Sequence, residues 1–267
     1  MKTVIAPPNP AAEYGRGVFR FSLATGSPGE LGLLEALGNA FAPAADATLA
    51  WVKAGTGESL QLLRDRQVDM AMVHAPAQLK QALAEGWITG KTLIGANEFY
   101  LVGPRHDPAG IAHATSAADA FQRILDTGVP FVSRGDQSGT HQKEMQFWSA
   151  LGQTPQAECY LVTHDFMTAS LKVADSRSAY FMIDSSTWIM EQVHAPSLTL
   201  LYRGDATLIN CYHAVIAPAG ATAGHDTAAR FVDFVASPAG QHIIREYGQD
   251  RYAQSLYNDA LFARQYD

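Results

Sequence analysis

Long apolar runs are missing from this 267-residue chain, and no window approaches the roughly 18 consecutive apolar residues of a transmembrane helix. No segment of it is therefore read as a membrane span. Cysteine is almost absent. Cys159 and Cys211 have no second Cys or His at metal-ligand spacing, which leaves free thiols or one optional disulfide and excludes a disulfide framework. Charged residues make up 17%, below the roughly 25% of soluble domains, and the net charge is -7 with no run of Lys and Arg longer than two. A phosphate backbone needs a basic footprint, so nucleic acid is not an expected partner. The opening MKTVIAPPNPAAEYGRG has one lysine and a three-residue apolar run broken by Pro-Pro, too short for the apolar centre of a secretory signal. Either the protein is cytoplasmic or a leader has been removed.

What is present is an ordinary apolar share, 47%, which argues against disorder, and a length beyond the roughly 100–150 residues of one core, which points to two lobes. From Val18 onward, short β-branched or apolar runs alternate with helical patterns, the signature of α/β units on a mainly parallel sheet. VFRFSLAT reads as a strand. Leu33, Leu34, Leu37 and Phe41 follow at helical spacing. LAWVKAG, VDMAMVHA and NEFYLVGP read as strands, with helices over ESLQLLRDR and over PAQLKQALAEG, the latter opened by Pro76 and closed by Gly86. The aperiodic RHDPAGIAHATS reads as a crossing into a second lobe. Ser116 is placed to cap the helix carrying Phe121, Ile124 and Leu125. VPFVS, CYLVTH, AYFMID and LTLLY read as further strands, GTHQKEMQFWSALG and FMTASLKVA as helices, and the segment ending in LINCYHAVIAP as a return. Two more helices follow, the second capped by Ser237 with Pro238 at its first position. The expected division is 18–104 with 205–267 as lobe 1, 105–204 as lobe 2, and 1–17 as an N-terminal extension. Two such lobes leave a cleft faced by helix N-termini and strand C-termini, where a ligand is expected.

The junction FVSRGDQSGTHQKEMQFW carries the sharpest chemistry. A strand ending at Ser133 and a helix starting near Gly139 put Arg134, Gly135, Ser138, Gly139 and Thr140 in the connecting turn. Unpaired amides and partial positive charge at a helix N-terminus, two hydroxyls and a permanently charged fork are all donors, so the guest should be anionic. The plainer alternative is a capped helix start with Arg134 paired to Asp136. LATGSPGELGLL repeats the inventory with Thr25, Gly26, Ser27 and Gly29, and KAGTGES more weakly with Gly55, Thr56 and Gly57.

LATGSPGELGLLEAL, KAGTGESL, VDMAMVHAPA, GWITGKTLIGANEFYLVGPRHDPAGI and FVSRGDQSGTHQKEMQFWSALG together resemble the tungstate-binding subgroup of the type II periplasmic solute-binding proteins. The resemblance runs from about Phe19 to about Pro238. It implies a periplasmic two-lobed receptor of an ABC transporter, monomeric, without catalysis or cofactor, that binds an oxyanion such as tungstate or molybdate and delivers it to a membrane permease. By resemblance Ser133, Arg134, Ser138, Gly139 and Thr140 fall on the second-lobe anion loop, Thr25 and Ser27 on the first-lobe loop, and Thr56 with Gly57 on a Gly-Thr-Gly turn. His74 and Pro76 match a Val-His-x-Pro element, and Asn210 and Tyr212 the returning segment.

Two departures bear on the ligand. Ala24 and Gly26 stand where the family typically has threonines, and THDFMTAS replaces a Gly-rich TGQGMG-like helix start. Asp165 thereby brings a carboxylate near the expected site, where it would repel a dianion, meet an ammonium, or cap its own helix. The alternatives are therefore a receptor for a zwitterion or small organic acid, a cytoplasmic effector-binding module, and a metal-dependent or other enzyme using His74, His141 and His164. No Gly-x-Ser-x-Gly elbow or Walker loop is present.

Overall fold

The computed structural model describes residues 8–267; residues 1–7, the start of the expected N-terminal extension, lie outside the described residues. In chain order the strands are β1 (Ala12–Gly15), β2 (Phe19–Thr25), β3 (Ala47–Lys53), β4 (Met70–Val73), β5 (Lys91–Pro104), β6 (Phe131–Ser133), β7 (Tyr160–Val162), β8 (Tyr180–Asp184), β9 (Leu198–Tyr202), β10 (Ile209–Ile216) and β11 (Asn258–Asp259). The helices are α1 (Ser27–Glu30), α2 (Leu33–Ala45), α3 (Thr56–Arg64), α4 (Pro76–Ala84), α5 (Ala117–Thr127), α6 (Gly139–Ala150), α7 (Met167–Arg177), α8 (Ser185–Glu191), α9 (His225–Ala236), α10 (Pro238–Glu246), α11 (Gln249–Tyr252) and α12 (Ala260–Ala263). Among the described residues no helix is long and apolar enough to cross a membrane.

The chain divides into two compact units, residues 1–96 with 211–267, and residues 97–210. These boundaries differ from 104/105 and 204/205. β5 does not stop at the boundary but runs on to Gly103-Pro104, so the Gly/Pro signal ends a strand inside the second unit, and RHDPAGIAHATS lies wholly within that unit. Residues 12–15 are likewise not an extension, since β1 pairs antiparallel with β3.

In the first unit β2 runs parallel to β3 on one side and to β4 on the other, and β10 closes the far side of β4 antiparallel. The sheet is thus mixed, with a parallel centre and antiparallel flanks. Its strands are apolar on both faces because both are covered. On one face Phe21 meets Phe41 of α2 and Phe231 of α9, with ring centroids 6.1 and 5.3 Å away. On the other, Ala24, Val52, Val73 and Val215 pack with Leu60, Leu63 and Leu79 from α3 and α4.

The second unit has the same logic. β6 runs parallel to β7 and β8, and β5 with β9 adds the antiparallel side. Because side chains alternate along a strand, Phe131 points to α5 and α6, where its ring lies 5.2 Å from Trp148, while Val132 packs with Met167 and Leu171 of α7. Burying each such large side chain contributes about 1.5–3 kcal/mol. Ser116 caps α5 by accepting from the Asp119 amide, and Ser237 caps α10 by accepting from the Gly240 amide, as their positions predict.

Candidate functional site

In each unit the donor-rich turns emerge where parallel strands end, the edge at which such sheets place their ligands. In the second unit β6 delivers Ser133, and five residues, Arg134 to Ser138, connect it to α6. Gly135 makes this possible with φ +63, a conformation that would force a Cβ to 2.2 Å from Val162 Cγ1. Arg134 is buried, with 6% of its surface exposed. Its Nη2 donates to Asp136 Oδ2 at 2.5 Å, its Nε to the Asp165 carbonyl at 3.2 Å, and its guanidinium lies over the Phe166 ring at 5.8 Å. Nη1 makes no hydrogen bond among the described residues.

Asp136 also organises the helix start. Its Oδ1 accepts from the Ser138 amide at 3.0 Å, and Ser138 Oγ in turn accepts from the His141 amide at 3.3 Å as the α6 cap. A serine that accepts through its oxygen still has its own hydroxyl proton to donate. The Gly139 and Thr140 amides make no hydrogen bond among the described residues, and the Thr140 hydroxyl likewise. The loop thus combines the capped helix start and the Arg134–Asp136 pair with a guanidinium edge, two helix amides and two hydroxyl protons that have no protein acceptor among the described residues.

Two expected donors turn out to face inward. Ser133 is fully buried and donates to Glu144 Oε2 at 2.9 Å, and Thr25, also fully buried, donates to the Met72 carbonyl at 2.9 Å. Both hydroxyls serve the framework, because a buried acceptor beside them would otherwise be unpaired. Asp165 does not face Arg134 with its carboxylate. Its Oδ1 accepts from the adjacent Phe166 amide at 2.7 Å, and only its carbonyl meets the guanidinium.

Glu144 was not signalled as a site residue. It sits on α6 one turn after Thr140 and one before Trp148, on the buried face, 2% exposed. Oε1 accepts from Trp148 Nε1 at 2.9 Å and from the Tyr160 hydroxyl at 2.5 Å, while Oε2 takes the Ser133 hydroxyl. Burial dominates over these donors and pushes the carboxyl up to about 7. The one available signal was the Thr140, Glu144, Trp148 spacing of four. His141, beside the loop, is held below its ordinary value by burial.

The first unit builds a similar edge. Gly26 and Ser27 open α1 after β2, Thr56 and Gly57 open α3 after β3, and His74 follows β4. The first two turns are neighbours, since the Ala54 amide donates to the Thr25 carbonyl at 3.2 Å. Gly29 must be glycine, because a Cβ there would lie 2.2 Å from Trp51, whose indole nitrogen donates to the Thr25 carbonyl at 3.0 Å. The His74 ring meets that of buried Tyr212 at 5.0 Å.

His74 belongs to the first unit and His141 and His164 to the second. Among the described residues no group of three or more His, Cys, Asp or Glu side chains is arranged to hold a metal, so the three-histidine alternative has no geometric support. Cys159 and Cys211, both partly buried, form no disulfide among the described residues. Asn210 donates to Asn97 at 2.8 Å within the second unit, part of a buried network that reaches Asp184 and Ser186.

Comparison with known proteins agrees with this architecture. A domain family described as "PBP superfamily domain" matches residues 9–239. A Haloferax volcanii protein, named as a candidate ABC transporter anion-binding protein, is 34% identical over 84% of this chain and 67% of its own length. The tungstate-binding protein TupA of Peptoclostridium acidaminophilum is 30% identical over 87% of this chain and 82% of its own. The solved structure of the tungstate-binding protein TupA from Desulfovibrio alaskensis superposes with a TM-score of 0.77 at 31% identity, covering 90% of this chain and 98% of that one.

Proposed function

Because the chain belongs to the PBP superfamily, we propose that it is the solute-binding receptor of an ABC transporter and that its solute is a small oxyanion, tungstate or molybdate first. Arg134 carries the reading. A guanidinium with 6% exposure whose Nη1 has no protein partner among the described residues, on the turn that leads into the unbonded Gly139 and Thr140 amides, offers donors to an acceptor entering from solvent.

The chemistry of these groups supports a division of labour. Arg134 supplies charge, Ser138 and Thr140 supply hydroxyl protons, and the α6 amides add the field of the helix N-terminus. Ser27, Gly26, Thr56 and Gly57 form a second donor set of the same kind in the first unit. Tungstate and molybdate carry no proton near neutral pH and can only accept, which matches a shell made of donors. The relatives named for tungstate support that ordering of ligands. The reading makes the protein a carrier and not an enzyme, working outside the cytoplasmic membrane as a monomer and handing its anion to an ABC permease.

Titration calorimetry with sodium tungstate, molybdate, sulfate and phosphate tests it. One of the four should bind, and Arg134→Ala should weaken that binding by about 1.5–3 kcal/mol, the range for hydrogen bonds to charged groups. Unchanged affinity in the variant would remove Arg134 from the site and the reading with it.

A further inference from the structure

Beneath the anion loop lies a titratable group for which the binding geometry alone has no use. Glu144 is 2% exposed, yet it is reached by three side-chain donors, Ser133, Trp148 and Tyr160. Ser133 immediately precedes Arg134, and Thr140 lies one helical turn before Glu144, so the carboxyl touches one end of the loop and shares a helix face with the other. We propose that Glu144 is a positioning residue for the loop, and that anion capture there is linked to uptake of a proton from solvent by Glu144 Oε2. The inference rests on the oxyanion reading of this loop.

The atoms specify where the proton goes. Oε1 is already committed to the Trp148 indole, which can only donate, and to the Tyr160 hydroxyl. Among the described residues Oε2 has a single partner, the Ser133 hydroxyl, which can reverse its role. With Glu144 ionised, Ser133 donates inward to Oε2. With Oε2 protonated, that O–H donates to Ser133 Oγ, and the Ser133 proton is released to turn toward another acceptor. Proton uptake therefore removes a negative charge from under the loop, which favours an anion.

The surroundings leave this carboxyl as the group poised near neutrality. Tyr160 on β7 is raised by burial, and the Asp136 carboxylate in the loop pushes Glu144 further toward its protonated form. Tyr180 on β8 is occupied with Asp107, and α5 offers the apolar Phe121 to this region, its ring 4.6 Å from Trp148. On α6 itself Lys143 adjoins Glu144 in the chain and His141 lies one turn before it, its imidazole held below the ordinary value by burial. Burial places the Glu144 transition at about 7, within reach of ordinary pH changes.

The test is calorimetric titration of the full chain with sodium tungstate, and with sodium molybdate, between pH 6.5 and 8.5. The expected result is binding about fivefold tighter at pH 6.5 than at 8.5, a charge effect of the size an intervening carboxylate exerts at short range. Glu144→Gln, whose amide mimics the protonated form by donating to Ser133, should bind with little pH dependence and more tightly than the unsubstituted protein at pH 8.5. Should the variant fail to fold, titrations of the unsubstituted protein at pH 7 in two buffers of different ionisation enthalpy should show a fraction of a proton taken up per anion. A flat profile, no proton uptake, or the same slope in Glu144→Gln overturns the linkage while leaving the receptor intact. Absence of binding at every pH by tungstate, molybdate, sulfate and phosphate alike defeats the oxyanion reading itself and this inference along with it.

Discussion

Asp136 holds Arg134 by its Nη2 at 2.5 Å through one carboxylate oxygen and holds the start of α6 through the other, at the Ser138 amide. The same acid thus orients the cation and offsets its charge. Asp136→Asn keeps an acceptor for the Ser138 amide but removes the competing negative charge. Affinity for a dianion should rise roughly five- to tenfold in low salt, the size of a charge interaction of about 1 kcal/mol screened by nearby water. Calorimetry in 20 and 300 mM salt checks this, and a weaker-binding variant would show that orientation outweighs charge.

Gly135 sets the path of the loop. Its φ of +63 and the Val162 Cγ1 atom that a Cβ would approach to 2.2 Å leave no room for alanine, and valine side chains yield little because χ1 is restricted. Gly135→Ala should cost about 2 kcal/mol of stability or more and weaken anion binding about tenfold. Thermal melts with and without ligand would separate the two effects, and a variant that melts and binds normally would contradict the account.

Thr25 tests the opposite case, a residue that looks like a donor and serves the framework. Thr25→Val leaves the shape but unpairs the buried Met72 carbonyl, at a cost of about 1–3 kcal/mol. Affinity should change less than about twofold. Denaturant melts combined with titration check both halves; a large affinity loss at unchanged stability would return Thr25 to the site.

Stability should also depend on Glu144 through pH. Its carboxyl titrates at about 7 when folded against 4.5 ordinarily, so between those values the folded protein holds a proton that the unfolded chain has released. Stability contributed this way is complete below pH 4.5 and is lost as the pH rises through 7, on the order of 3 kcal/mol in all. Glu144→Gln should accordingly be more stable than the unsubstituted protein at pH 8, with the gap closing toward pH 5. Urea melts at both pH values measure it, and a gap that does not vary with pH would rule the mechanism out.

The parts of this molecule legible in its sequence are those fixed locally. The Ser138 cap follows from Ser-Gly-Thr before a helical pattern, and the Ser116 and Ser237 caps from the same kind of signal. What depends on distant partners was not legible. β1 is a four-residue edge that exists only because β3 pairs with it, and α11, β11 and α12 are too short to show a period. The inward turn of the Thr25 hydroxyl is set by Met72, a residue on a neighbouring strand. Glu144 reads in isolation as one more polar residue among Gln142, Lys143 and Gln146. Only the packing of Phe131, Trp148 and Tyr160 around it makes it buried.

The bond from the Trp148 indole to Glu144 has an optical consequence. An indole whose N–H points at a carboxyl changes its emission when that carboxyl gains or loses charge, and Trp148 is fully shielded from external quenchers by its burial. The protein therefore contains its own dye for the interior beneath the loop, legible by fluorescence once Trp51, Trp87 and Trp188 are replaced, and stopped-flow mixing could follow that signal in real time without any label.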